Sequence, residues 1–207
     1  MECLLAGRLL QRCRTHWLAQ LCDVRHALML GEGNGRFLVP FVEQFPTATV
    51  TCVDASARML QCARARLTPS QCARVEFIHA DALTWRPPHE QFDLVVTHFF
   101  LDCFRPGQLA RLIGQVVSGT TATARWLLAD FREPDRGWTR WRARLMLRVM
   151  YAFFRIATAL PARRLTAPDF FLEQAGFTLK RRQIFEFGLL HSDVWEKGWR
   201  NPEEINA

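Results

Sequence analysis

Short apolar runs recur along this chain, and each is followed by a turn and then by a stretch with helical spacing. Ala27–Leu30, Thr49–Val53, Arg74–Ile78, Phe92–Thr97 and Arg125–Asp130 are such runs. Brief apolar segments bounded by turn residues read as strands. Between them, Gly35–Gln44, Ala55–Leu67 and Gly107–Ser118 repeat their apolar residues with a helical period. Ser56 stands where a helix cap belongs, and Met59 follows one turn in. Pro40 and Pro46 punctuate the first helix, Pro69 follows the second, and Pro87-Pro88 marks the loop before the fourth strand. Strands that alternate with helices predict an α/β fold, a doubly wound parallel sheet covered on both faces. Pro168–Phe177 then reads as a helix closed by Gly176, with Thr178–Glu186 and Leu189–Glu196 as two strands.

Two further stretches are helical by pattern. Leu4, Leu5, Leu9, Leu10, Trp17, Leu18 and Leu21 share one face, which predicts an N-terminal helix within residues 1–24. It fits a cover for a ligand pocket or plain cover for the sheet. In 136–164, Arg140, Arg144, Arg148 and Arg155 form a basic face opposite Leu145, Met146, Val149, Met150, Phe153, Ile156 and Leu160. Its apolar runs are too short and its arginines too central for a membrane-spanning helix. Both a helical lid and a peripheral contact with an anionic membrane fit this pattern.

The chemistry gathers at the ends of the apolar runs. Gly31, Gly33 and Gly35 put a glycine at every second position after the first strand. Such a loop lets a nucleotide approach the backbone closely. Asp54 ends the second run about twenty residues on, where an acid can hold a ribose diol. Dinucleotide binders favour GxGxxG, whereas this loop reads GxGxG and continues with Arg36 and Phe37, so NAD ranks lower. Asp81 follows the third run, within Ala80-Asp81-Ala82. Thr97-His98-Phe99-Phe100-Leu101-Asp102 places a histidine and an acid after the fourth.

The glycine loop, Asp54, the Ala80-Asp81-Ala82 segment and the Phe92–Thr97 strand resemble, in order and spacing, the class I S-adenosylmethionine-dependent methyltransferases. The resemblance runs from about Ala27 to the C-terminus. It implies a Rossmann-like, seven-stranded, mostly parallel sheet whose last strand is antiparallel, within a single domain over 1–207. It implies S-adenosylmethionine as cofactor, held by Gly31, Glu32, Gly33, Gly35, Asp54, Ala55, Met59, Asp81, Ala82 and Thr97. Asp54 would face the ribose and Asp81 the adenine amine. The family often carries an acid two residues before the first glycine, and Met29 stands there. Glu32, inside the loop, is expected to substitute. Amino-methylating nucleic-acid enzymes of this fold often carry Asn/Asp-Pro-Pro-aromatic where this chain has Thr-His-Phe-Phe, so no specific nucleic acid is expected.

Catalytic candidates follow from the expected exit of the methyl group. His98 either takes a proton from the nucleophile or shapes the pocket. Asp102 either orients the substrate or caps the helix that follows. His191, near the terminal hairpin, is a second base candidate, with a structural role the commoner one for a lone histidine. The acceptor is expected to be a small molecule with an apolar or amphipathic body, because Met and Phe crowd 136–164. Its reacting atom, O, N, S or C, stays open.

Composition adds bounds. The chain has 207 residues, 49% hydrophobic and 23% charged, with a formal net charge of +7. That charge fits a polyanionic partner, an acidic substrate, an anionic membrane surface or a generally arginine-rich composition. The seven cysteines form no CxxC pair, so no metal site is expected. An odd count without a disulfide framework points to a reducing, cytoplasmic setting. Met1-Glu2-Cys3 and the early arginines do not read as a secretory signal.

Overall fold

The computed structural model describes residues 2–132 and 166–198; the basic helical segment expected over 136–164 lies outside the described residues. In chain order the elements are α1 (Glu2–Thr15), β1 (His26–Leu30), α2 (Leu38–Gln44), β2 (Thr49–Asp54), α3 (Ala57–Arg64), α4 (Pro69–Cys72), β3 (Val75–His79), β4 (Phe92–His98), α5 (Pro106–Ser118), β5 (Thr120–Phe131), α6 (Asp169–Gln174), β6 (Phe177–Phe185) and β7 (Leu190–Lys197). Short 3-10 turns fall at Leu18–Gln20, Leu101–Cys103 and Glu186–Gly188.

The seven strands lie in the order β3-β2-β1-β4-β5-β7-β6. β1 to β5 pair in parallel, and β7 runs antiparallel between β5 and β6. This is the doubly wound arrangement, with the strand order reversing between β1 and β4. Ligands in such sheets bind beyond the carboxyl ends of the strands at that reversal. The register sets those ends level: Leu30 pairs with Val53 on one side and Thr97 on the other. Gly31, Asp54 and His98 therefore leave the sheet along one edge.

Both faces are covered, which is why the strands read as near-continuous apolar runs. On one face Met29, Cys52, Leu94 and Val96 pack with Phe37, Leu38 and Phe41 from α2 and its approach. On the other, Leu28, Val95, Trp126, Leu128 and Trp195 pack with Leu109, Leu112, Ile113 and Val116 of α5 and Leu172 of α6.

The element ends differ from the sequence pattern for local reasons. α2 begins at Leu38 and not at Gly35. Glu32 Oε1 accepts the N–H groups of Phe37 and Leu38 at 2.6 and 3.0 Å, supplying the cap that Phe37 lacks. Pro40 sits in the first turn of α2, where a missing N–H costs no helical hydrogen bond. α3 is capped by Ser56, whose Oγ accepts the Met59 N–H at 3.3 Å. It stops at Arg64, and Thr68 with Gln71 starts α4 as a capping box. α1 ends at Thr15, short of the expected span. Beyond it Trp17 turns into the core and donates its Nε1–H to the Ser192 carbonyl at 2.9 Å. Gln11 Nε2 donates to the Arg36 carbonyl at 2.8 Å. α1 thus bridges the loop after β1 and the start of β7.

Candidate active site

The three loop glycines meet three different surroundings. All have positive φ, from 64° at Gly31 to 80° at Gly35. A Cβ on Gly35 would lie 2.9 Å from the Ala63 Cα, so this glycine lets the loop seat on α3. A Cβ on Gly33 would meet nothing within 4 Å, which leaves open space above the middle of the loop. A Cβ on Gly31 would fall 2.1 Å from the ring of Phe100.

Asp54 closes the loop from the end of β2. Its Oδ2 accepts the Gly33 N–H at 3.1 Å and its Oδ1 the Ser56 N–H at 2.8 Å. Each carboxylate oxygen keeps a second lone pair, and the residue is only half-buried. Ala55 and Met59 lie exposed beside it, Met59 at 42%. Asp81 is exposed one strand further out and fixes its own turn: Oδ1 accepts the Leu83 N–H at 2.9 Å, next to half-buried Ala82.

Glu32 and Thr97 are turned inward. The Glu32 carboxyl is pushed up to about 7 by burial, against the opposing pull of the two N–H groups and Arg14. Its Oε1 is engaged at the start of α2 and not in the space above the glycines. Met29 is fully buried in the core beneath α2. Thr97 Oγ1 accepts the Trp126 Nε1–H at 2.8 Å and is fully buried, so its side chain belongs to the sheet face and not to the loop edge.

The sequence put His98 and Asp102 in one stretch after the fourth strand; the structure turns their side chains apart. His98 packs edge-on to Phe37 at 4.6 Å and lies near Arg14, on the α1/α2 face. Burial and the Arg14 charge push the imidazole down to about 3, so it stands neutral and is a poor proton acceptor. Asp102 lies in the 3-10 turn and turns the other way, against Asp130. Nor does Asp102 cap α5: the residue before that helix is Arg105, whose N–H donates to Gln108 Oε1 at 3.2 Å. The separation comes from Phe99, whose φ of 55° breaks the strand's alternation directly after His98.

A second polar group forms where β5 meets β7. Asp130 is 1% exposed and faces the Asp102 carboxyl. Burial and the facing Asp102 carboxyl raise it well above the ordinary carboxylate range, so the two carboxyls can share a proton. Directly across the ladder from Asp130 stands His191. His191 Nδ1 is 2.9 Å from Asp193 Oδ2. Arg182 grips Asp193 through Nε at 2.9 Å and Nη2 at 2.6 Å, and Nη2 also reaches Asp169 at 2.6 Å. These contacts hold Asp193 below its ordinary pKa despite burial. Sequence reasoning put Asp130 at the ligand-facing end of its strand without a role and left Asp193, Arg182 and Arg14 out of the site. A signal was present: His191-Ser192-Asp193 puts three polar residues in an inner strand, and all three are buried.

A glycine loop and a ribose-type acid level with it, at the reversal point of a doubly wound sheet, define a nucleotide-type binding edge. Residues 27–121 match the family model of a methyltransferase domain. Together with β5, β6 and β7 they build the seven-stranded sheet of the class I S-adenosylmethionine-dependent methyltransferase fold. Trans-aconitate 2-methyltransferase of Paracidovorax citrulli is 42% identical over 76 residues, 36% of this chain and 27% of that one. The same-named enzyme of Streptomyces coelicolor is 34% identical over 130 residues, 56% of this chain and 41% of that one. The chain thus spans less than half the length of these curated relatives. The fold is also that of 1,6-didemethyltoxoflavin-N1-methyltransferase of Burkholderia thailandensis, solved with 1,6-didemethyltoxoflavin and S-adenosylhomocysteine bound. The TM-score is 0.69 at 19% identity, over 94% of this chain and 81% of that one.

The residues present fit the cofactor this family implies. Among the described residues no atom comes within 4 Å of where a Gly33 Cβ would stand, and Asp54 has acceptor capacity to spare for two hydroxyls.

Proposed function

We propose that this protein transfers a methyl group from S-adenosylmethionine to a small acceptor with an apolar or amphipathic body. The observation that carries the reading is the Asp54 carboxylate beside the open face of Gly33, at the reversal point of the sheet. Gly31, Glu32, Gly33 and Gly35 present backbone to the cofactor. Asp54 and Ala55 meet the ribose, with Met59 alongside. Asp81 and Ala82 meet the adenine, and Thr97 contributes through its backbone at the end of β4. The bound cofactor supplies a methyl group made electrophilic by the sulfonium. The chain aligns it with the acceptor and keeps water out.

For a hydroxyl or thiol acceptor the proton goes to the group where β5 meets β7. His191 suits this task better than His98. Asp193 fixes its Nδ1 as the donor side, which leaves Nε2 as the basic atom, an orientation used by paired histidine bases. The Asp102–Asp130 pair lies across from it as a second proton store. An amine acceptor needs no base in the transfer itself.

Calorimetric titration with S-adenosylmethionine, S-adenosylhomocysteine and NAD tests the cofactor. Binding of the first two without the third is expected; binding of NAD alone would sink the proposal. Release of S-adenosylhomocysteine from a panel of lipophilic phenols, thiols and amines, with trans-aconitate alongside, then tests the acceptor class.

A further inference from the structure

We propose that Phe100 gates the cofactor site: its ring covers Gly31 and has to swing away before a ligand can lie along the glycine loop. The inference rests on the cofactor placement argued above. Three ring atoms of Phe100 lie 2.1, 2.7 and 2.9 Å from where a Gly31 Cβ would stand. The ring is therefore laid directly on the bare backbone of the first glycine. It fills the close approach that a glycine at φ 64° leaves to a ligand. Gly33, two residues on, faces open space. One half of the loop is free and the other is covered by the chain's own side chain.

A second observation supplies the pivot. Phe99 has a φ of 55°, a left-handed conformation that a bulky residue adopts only under strain. Its neighbours hold it there. Its N–H donates to the Ala129 carbonyl at 2.6 Å, which carries the β4–β5 ladder up to the strained residue. Its ring lies 5.2 Å from that of Phe131 and 4.7 Å from the Arg14 guanidinium. Phe100 is half-buried at the margin of the core and leans edge-on against Phe104 at 5.1 Å, at the entry to the Leu101–Cys103 turn. Phe99 stays fixed in its left-handed conformation, and the half-buried Phe100 ring that follows can turn about its own side-chain torsions. The contacts on Gly31 and Phe104 favour the closed position.

A gate reduces apparent affinity by the fraction of time it stands open. A ring that instead stays in place as a platform for the ligand adds affinity. The two act in opposite directions on one measurement. S-adenosylhomocysteine is titrated calorimetrically into the wild type, Phe100→Leu, Phe100→Ala and Asp54→Ala, with thermal melting to confirm folding. Association rates are read from tryptophan fluorescence in stopped flow. For a gate closed nine-tenths of the time, Phe100→Ala lowers Kd by about tenfold through the association rate, and Phe100→Leu moves it in the same direction. Phe100→Leu keeps apolar bulk against Phe104 and decides the matter if the alanine variant does not fold. Unchanged or weaker binding in the folded Phe100 variants overturns the gate. Asp54→Ala reports separately on the placement: wild-type affinity in that variant overturns the cofactor site itself, whatever Phe100 does. Absence of S-adenosylhomocysteine binding in every protein overturns both.

Discussion

The carboxylate of Asp54 accepts the N–H of Gly33 at 3.1 Å and so ties the end of β2 to the middle of the loop after β1. The same side chain accepts the Ser56 N–H at 2.8 Å, which starts α3. One acid thus shapes both the loop and the start of the helix. Hydrogen bonds to charged groups are worth about 1.5–3 kcal/mol each. Asp54→Ala is expected to weaken S-adenosylhomocysteine binding by about 10- to 100-fold. It also lowers stability modestly, because two backbone donors lose their partner. Calorimetry and urea unfolding measure the two effects.

Glu32 carries a pH-dependent cost. Its carboxyl rises from 4.5 to about 7 on folding, chiefly through burial. The folded state therefore favours the protonated form. That contribution is complete below pH 4.5 and is lost as pH rises through about 7. Glu32→Gln keeps an oxygen for the Phe37 and Leu38 N–H groups and removes the titration. It is expected to be more stable than the wild type by about 1–3 kcal/mol at pH 8, with no gain at pH 4. Chemical unfolding at a series of pH values checks the crossing.

His98 titrates in the opposite sense. Burial and Arg14 lower it from 6.5 to about 3, so the folded state resists protonation. Stability is full above pH 6.5 and falls as pH drops toward 3. His98→Asn is expected to flatten that acid limb in thermal melts. With an acceptor found by the panel, the pH dependence of kcat between 5 and 8 stays in place in this variant. Loss of that dependence would restore His98 as the base.

Asp130 is a buried carboxyl that faces a second one, Asp102. Folding holds it protonated, so it destabilises the protein as pH rises above the ordinary carboxylate range. Asp130→Asn supplies an amide that can donate to Asp102 and removes the like-charge conflict. It is expected to gain about 1–3 kcal/mol of stability at pH 7 to 8. If Asp130 serves the acceptor, the same variant loses turnover on an acceptor with O–H while keeping cofactor affinity. Equal turnover would mark the residue as structural.

Much of this architecture could be read from spacing. The five parallel strands fall close to the apolar runs, and the terminal hairpin matches to within a residue or two at each end. Gly31, Gly33, Gly35 and Asp54 converge as their order along an α/β chain implies. Three features escaped for physical reasons. α2 starts late because its cap is Glu32, a side chain reaching across the glycine turn and not a residue at the helix start. β5 extends back to Thr120 through Thr120-Thr121-Ala122-Thr123-Ala124, a stretch too polar to signal a strand. His98 and Asp102 stand within one short stretch after the fourth apolar run. One positive φ at Phe99 sends them to opposite faces, and backbone handedness at a phenylalanine leaves no mark in a sequence pattern.

The strand that fills the gap between β5 and β6 is the last one described, β7. During synthesis β5 waits at an open margin, and β6 has no neighbour to join, until residues 190–197 have left the ribosome. His191, Asp193 and the carbonyl that receives Trp17 all arrive with that strand. A chain stopped before β7 would expose two unpaired strand margins and lack both His191 and Asp193. The sheet and this buried polar pair are therefore completed in one late event, and until then the open margins are templates for aggregation.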